Sequence, residues 1–366
     1  MNSILSRRAV FRETAAISAL ATVLSGRTAS AAGEQDLLRL SANENPYGPS
    51  ASAVSAMTNA MADGWMYASD SGALAKLIAE REGVPLDHVL ITEGSAEILR
   101  LAALIYASNG SEMVAASPTF EQCPDYAEKC GGRVIAVPLD RDMKHDLAAM
   151  DARMTGKTGL VYVCNPNNPT ATLLDAKALR SFVDGAASRA MVLVDEAYID
   201  LIDDPAGNTM IDRVKAGKNV IIARTFSKIH GMAGLRVGFA IARPDIIKRM
   251  NGLRMSVPNK MGLVAAIASY QDTDFMAHSR KMIREGMSMT FKALDGIGLE
   301  HVKSQANFLM FNTGKPMREF MTAMRSRNIA VGRPFPPYDT WCRVSMGKVE
   351  QMPRFVEALQ AHFKKA

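Results

Sequence analysis

Six short apolar runs punctuate the first two thirds of this chain, Val89 to Thr92, Met113 to Ala116, Val134 to Val137, Leu160 to Cys164, Met191 to Val194 and Val220 to Ala223, and most of them end at a polar motif. Runs this short and this uniformly apolar suit strands covered on both faces. The stretches between them carry helical patterns, as from Gly94 through Tyr106. Strands alternating with helices predict an α/β fold, a mainly parallel sheet sandwiched by helices. In such a fold ligands bind beyond the carboxyl ends of the strands. The polar motifs stand at those ends.

A chain of 366 residues is too long for one ordinary core. Near Asn251 the texture changes. Val264 to Lys292 reads as one long helix, and Asn307 to Phe311, Ala330 to Val331 and Arg343 to Ser345 read as strands of a smaller α+β domain. The expected division is an N-terminal arm and first helix over 32–62, packing with the small domain, a large domain over 63–250 and a small C-terminal domain over 251–366.

The first 31 residues stand apart. Arg7, Arg8 and Arg12 precede a modest apolar stretch, Ile17 to Leu24, and then the small residues Ala29, Ser30 and Ala31. That order is a secretory signal, and the adjacent arginines give it the form of a twin-arginine signal for export to the periplasm. The apolar stretch is too short for a stable membrane span. Without this segment the formal charge falls from +6 to +3, which gives no reason to expect a nucleic-acid partner. The four cysteines fit no metal spacing, and Cys123 and Cys130, on one helix, would lie beyond disulfide reach, so free thiols are expected.

The most specific chemistry lies in Arg224 to Arg236, RTFSKIHGMAGLR. A lysine follows hydroxyl residues at one and three positions before it and precedes an arginine eight positions on. That is the outline of a pyridoxal-phosphate site. Lys228 can condense with the aldehyde, Thr225 and Ser227 can donate to the phosphate, and Arg236 can pair with it in two-pronged fashion. Four further motifs precede it in the chain, in the right order: SANENPYGPS from Ser41, EGSAE from Glu93, CNPNNPT from Cys164 and DEAY from Asp195. Together these segments resemble the fold-type I aminotransferases, in particular the histidinol-phosphate aminotransferase branch, from about residue 37 to the C-terminus.

The resemblance implies a role for each matching residue. Asp195 pairs with the pyridine nitrogen and keeps it protonated, so that the ring can accept electrons. Tyr198 and Asn168 hydrogen-bond the ring oxygen, and Phe120, where close relatives carry tyrosine, stacks on the ring. Gly94, Ser95 and Ala96, between a strand and a helix, offer backbone amides to the phosphate. Tyr67 reaches the phosphate of a partner subunit, which implies a homodimer with shared sites. Arg343, in TWCRVSMG, grips the substrate α-carboxylate, Asn307 lines the same pocket, and Arg333 stands near a substrate phosphate. Lys228, once released, moves the proton between substrate and cofactor.

Two departures are visible. Ala171 replaces the glycine that ordinarily ends the NNPTG string, and Ala96 stands where an aspartate is common. The implied activity is transfer of an amino group between an L-amino acid, or a histidinol-phosphate-like amine, and a 2-oxo acid. Another reaction of the same cofactor (decarboxylation, elimination or racemisation) and a non-catalytic binding protein are the alternatives, since one scaffold hosts many outcomes. The 24 methionines read as soft core filler, and His230 as a packed residue or part of the phosphate loop.

Overall fold

The computed structural model describes residues 37–69 and 71–364, so the signal-like segment lies outside the described residues. The strands are β1 (Leu38–Leu40), β2 (Val89–Thr92), β3 (Glu112–Ser117), β4 (Arg133–Pro138), β5 (Thr158–Cys164), β6 (Met191–Asp195), β7 (Val220–Thr225), β8 (Gly238–Ile241), β9 (Phe308–Asn312), β10 (Ile329–Val331) and β11 (Trp341–Ser345). The six apolar runs are β2 to β7. With β8 they form one sheet in the order β2-β8-β7-β6-β5-β3-β4. From β7 to β4 the neighbours run parallel, while β8 is antiparallel to both β7 and β2. β8 escapes the alternating pattern because no long helix separates it from β7.

The sheet is covered on both faces, as its uniformly apolar strands require. Val161, Val163, Val192, Val194 and Ile222 point into one core cluster, and Leu160, Tyr162, Leu193, Ile221 and Ala223 into the other. This is the period-two alternation of a strand with no wet side.

The predicted helix over Val264 to Lys292 is in fact two, Lys260–Gln271 and Thr273–Gly296. Asp272 breaks the run at φ −89° and ψ 75°, and its side chain accepts from the Phe275 amide as an N-cap. The first of the two packs on helix Ala51–Ala60. Both helices bury their small and apolar residues, Ala53, Leu263, Ala265 and Ala266, in the cluster on one face of the large sheet. The core grouping therefore differs from the expected division. Helix 51–60 and residues up to about 271 go with the large sheet, and the small-domain cluster takes up the chain from the helix Thr273–Gly296 onward, through Ile283, Met287 and Leu294.

In the small domain β9 pairs antiparallel with β11, and β10 runs parallel with β1 of the arm. Helix Met317–Arg325 buries Met317, Phe320 and Met324, the spacing of one helical stripe. Met287, Met317, Met324, Met346 and Met352 fill this cluster between the phenylalanines. After β1 the arm runs between the two domains: Asn45 donates to Ile229 O, in the loop after β7, at 2.8 Å and to Ser279 Oγ, on the helix Thr273–Gly296, at 3.0 Å.

Candidate active site

A cleft of about 340 Å³ opens where the carboxyl ends of β5, β6 and β7 face the turn after β2 and the small-domain strand β11. One end of it is built for a phosphate. Helix Ser95–Tyr106 begins at the cleft with Gly94 as its cap, at φ 72°. A Cβ at Gly94 would press on the Arg236 guanidinium and would be strained at this positive φ, so glycine suits the close approach of the turn to the guanidinium. Ser95 and Ala96 line the cleft beside Thr225, Ser227 and Arg236. Thr225 Oγ1 donates to Ser227 Oγ at 2.9 Å, and Arg236 Nη1 donates to Ala233 O at 2.7 Å and to Ser227 Oγ at 3.4 Å. Helix amides, two hydroxyls and a fixed guanidinium form the donor set a phosphate dianion takes.

Asp195 ends β6 and is buried. Its Oδ1 accepts from the Ala197 amide at 3.1 Å and its Oδ2 from the Tyr162 hydroxyl at 3.1 Å. Burial raises the carboxyl to about 6, while those two donors and the Lys228 charge pull it back, so it is an anion at neutral pH. Tyr162 escapes sequence reading because it looks like a core aromatic of an apolar strand. Its one signal is a hydroxyl at a fully buried position, which demands a partner. Phe120 and Asn168 line the same cleft.

Lys228 stands on the loop after β7, with Nζ donating to Asn43 O at 3.1 Å and lying 5.3 Å from the centre of the Tyr198 ring. Burial, and then the positive charge of Arg343, lower its amine to about 8 against the opposing pull of Asp195. About a tenth of this amine is therefore unprotonated and nucleophilic at pH 7, far more than for an ordinary lysine. The Tyr198 hydroxyl, buried, is held well above its usual range, and accepts from Asn43 Nδ2 at 3.0 Å.

Arg343 projects from β11 and is buried. Nη1 donates to Asn168 Oδ1 and Nη2 to Ser41 O, both at 2.6 Å, while Nε is buried without a protein acceptor. Arg333 is half exposed at the rim, ion-paired with Glu121, its guanidinium 4.4 Å from the centre of the Phe335 ring. Arg343 approaches the same ring at 4.8 Å, so Phe335 has a guanidinium against it from each of the two arginines.

Two expected site residues lie off the cleft. Asn307 is buried behind it and donates to Asn43 O at 2.9 Å and Glu44 O at 3.1 Å, so its side chain holds the arm and does not line the pocket. Tyr67 is 95% exposed and touches no part of its own cleft. His230 is buried against Phe226 and Ser269, and burial lowers it to about 4; it is a neutral packed residue. All four cysteines are free.

A sheet of this topology, with a lysine, a buried carboxylate and a phosphate cup at the strand ends, has the donor set of a pyridoxal-phosphate enzyme. The chain belongs to the class I and II aminotransferases, whose family pattern it matches over residues 35–359. It is 38% identical over 333 residues to the histidinol-phosphate aminotransferase of Moorella thermoacetica, covering 90% of this chain and 86% of that one. To the enzyme of the same name in Symbiobacterium thermophilum it is 37% identical, covering 90% and 91%. The crystal structure of the Sinorhizobium meliloti histidinol-phosphate aminotransferase in complex with pyridoxal 5'-phosphate superposes with a TM-score of 0.85 at 26% identity, over 90% of this chain and 91% of that one.

The protein is a pyridoxal-phosphate-dependent transaminase. The cofactor supplies an aldehyde that takes up the substrate amine and a ring that accepts electrons from its α carbon. The protein's own residues provide the rest. The cup around Arg236 can anchor the phosphate, Asp195 offers an anion to the ring nitrogen, and Lys228 can hold or move a proton at Nζ.

Proposed function

We propose that this transaminase exchanges an amino group between an L-amino acid or histidinol-phosphate-like amine and a 2-oxo acid, and that Arg343 grips the anionic group next to the reacting carbon. One observation carries the reading: a buried guanidinium on the cleft wall whose Nε has no protein acceptor. A guanidinium so desolvated favours an anionic ligand strongly. The names of the 31–38% identical relatives support the amine class. Arg333 serves the distal end of the donor, where an acidic or phosphate group would compete with Glu121 for it.

Single-turnover spectra of the cofactor with a panel of donors, histidinol phosphate included, test this. Arg343→Ala should weaken every donor by about 2 to 5 kcal/mol, the scale of a lost buried charge pair. Arg333→Ala should penalise only donors with an acidic or phosphate end. A donor-selective loss in Arg343→Ala, or a uniform loss in Arg333→Ala, reverses or removes these roles.

The reading extends to assembly and address. Tyr67, exposed and remote from its own cleft, suits a homodimer in which it serves the second copy's phosphate cup. The Arg7-Arg8 segment suits twin-arginine export of the folded, cofactor-loaded protein to the periplasm. Replacing both arginines by lysine should leave the precursor in the cytoplasm, and an unchanged distribution on fractionation would refute the export reading.

A further inference from the structure

Asn43 was not among the candidate residues, yet it touches three of them, Lys228, Asn307 and Tyr198. It is 1% exposed, lies on the cleft wall and adopts the left-handed conformation at φ 54°, which asparagine tolerates better than most residues. Its carbonyl accepts from Lys228 Nζ at 3.1 Å and from Asn307 Nδ2 at 2.9 Å. Its amide donates to Ser345 Oγ at 2.9 Å, and Ser345 Oγ lies 3.0 Å from Asn43 Oδ1.

The bonding at Ser345 fixes a direction. Ser345 Oγ accepts from the Asn43 backbone amide and gives its single proton to Asn43 Oδ1. That assigns the two ends of the carboxamide, and Nδ2, which can only donate, faces the Tyr198 hydroxyl at 3.0 Å. The Tyr198 oxygen is therefore an acceptor in this pair, and its own proton must point elsewhere. Tyr198 is on the cleft wall, so the direction left for the proton is into the cleft. Ser345 lies two residues after Arg343 on β11, so the same contacts tie the substrate-facing strand of the small domain to Tyr198.

We propose that Asn43 is a positioning residue for the transaminase: its carboxamide, oriented by Ser345, directs the Tyr198 hydroxyl proton toward an oxygen of the cofactor ring. A donated proton stabilises the anionic form of that oxygen, so the bound cofactor releases its titrating proton at lower pH than it would otherwise. Without the carboxamide the Tyr198 hydroxyl is free to turn, and the release moves to higher pH.

The test is a double-mutant cycle read from the absorbance of the bound cofactor against pH, with no substrate present. Asn43→Gly keeps the left-handed backbone and the carbonyl while removing only the carboxamide. It should raise the spectral midpoint by about half a pH unit or more, and Tyr198→Phe should raise it further still. In the Tyr198→Phe background, Asn43→Gly should add nothing. Ser345→Ala, which releases the carboxamide without touching it or the cofactor, should shift the midpoint in the same direction and guards against a glycine variant that folds poorly. An unchanged midpoint in Asn43→Gly, or a shift of equal size with and without the Tyr198 hydroxyl, overturns the proposal. The readout needs no substrate, so it is independent of the roles assigned to Arg343 and Arg333.

Discussion

At the scale of single residues, the cleft sets charges against one another at short range. Arg343 and Lys228 are two cations held by carbonyls of one turn of the arm, Ser41 and Asn43. Burial, with their mutual repulsion added to it, lowers the Lys228 amine to about 8. The sign of the consequence is definite. Only the neutral amine attacks an aldehyde, and a depressed pKa means that this form appears at lower pH than for a free lysine. The apo-protein should therefore bind pyridoxal phosphate with a rate that rises as pH approaches about 8 and levels off above it. Stopped-flow reconstitution over a pH series measures this. A rate still climbing steeply through the ordinary lysine range would show that Lys228 is not so perturbed, and Lys228→Ala should abolish the covalent phase altogether.

At the scale of elements, what was legible in the sequence was local. The strands β2 to β7 announce themselves as uniform apolar runs because both their faces are buried, and the motifs at their ends stand where such a sheet binds ligands. The cleft accordingly gathers Lys228, Asp195, Tyr198, Asn168, Thr225, Ser227, Arg236 and Arg343, which the motifs had singled out. The features that went unread are those decided by a distant partner or by a backbone angle. Asn43 matters through Ser345 and Tyr198, 302 and 155 residues away in sequence. Tyr162 matters through Asp195, on the neighbouring strand. Asp272 splits a helix through a cap geometry that an apolar periodicity does not register. Ala171 is a telling intermediate case. Its departure from glycine is visible in the sequence, and the structure supplies the reason for glycine, since the position is buried at φ 63°, where a β-carbon is strained.

At the scale of the whole molecule, the exposed apolar surface is concentrated. Met61, Trp65 and Tyr67 are 66%, 81% and 95% exposed, and Met255 and Val257 are 61% and 58% exposed. The two segments are neighbours, because helix 51–60 packs on helix 260–271 and Lys260 reaches Asp63 at 3.4 Å. Large side chains gathered on one face in this way suit burial against another protein surface, and the proposed homodimer would cover them with a second copy while carrying Tyr67 into that copy's cleft. The arrangement makes subunit mixing decisive. A Lys228→Ala chain and a Tyr67→Ala chain should each be severely impaired alone. If Tyr67 serves the opposite subunit, a mixed dimer carries both lesions at one site and none at the other. Random reassociation of equal amounts should then restore about a quarter of wild-type activity, half the dimers being mixed and each having one intact site. If Tyr67 acts within its own chain, or not at all in catalysis, mixing restores nothing beyond the sum of the separate activities. Sedimentation velocity on Trp65→Asp supplies the control, since a charge on this face should leave monomers that mixing cannot rescue.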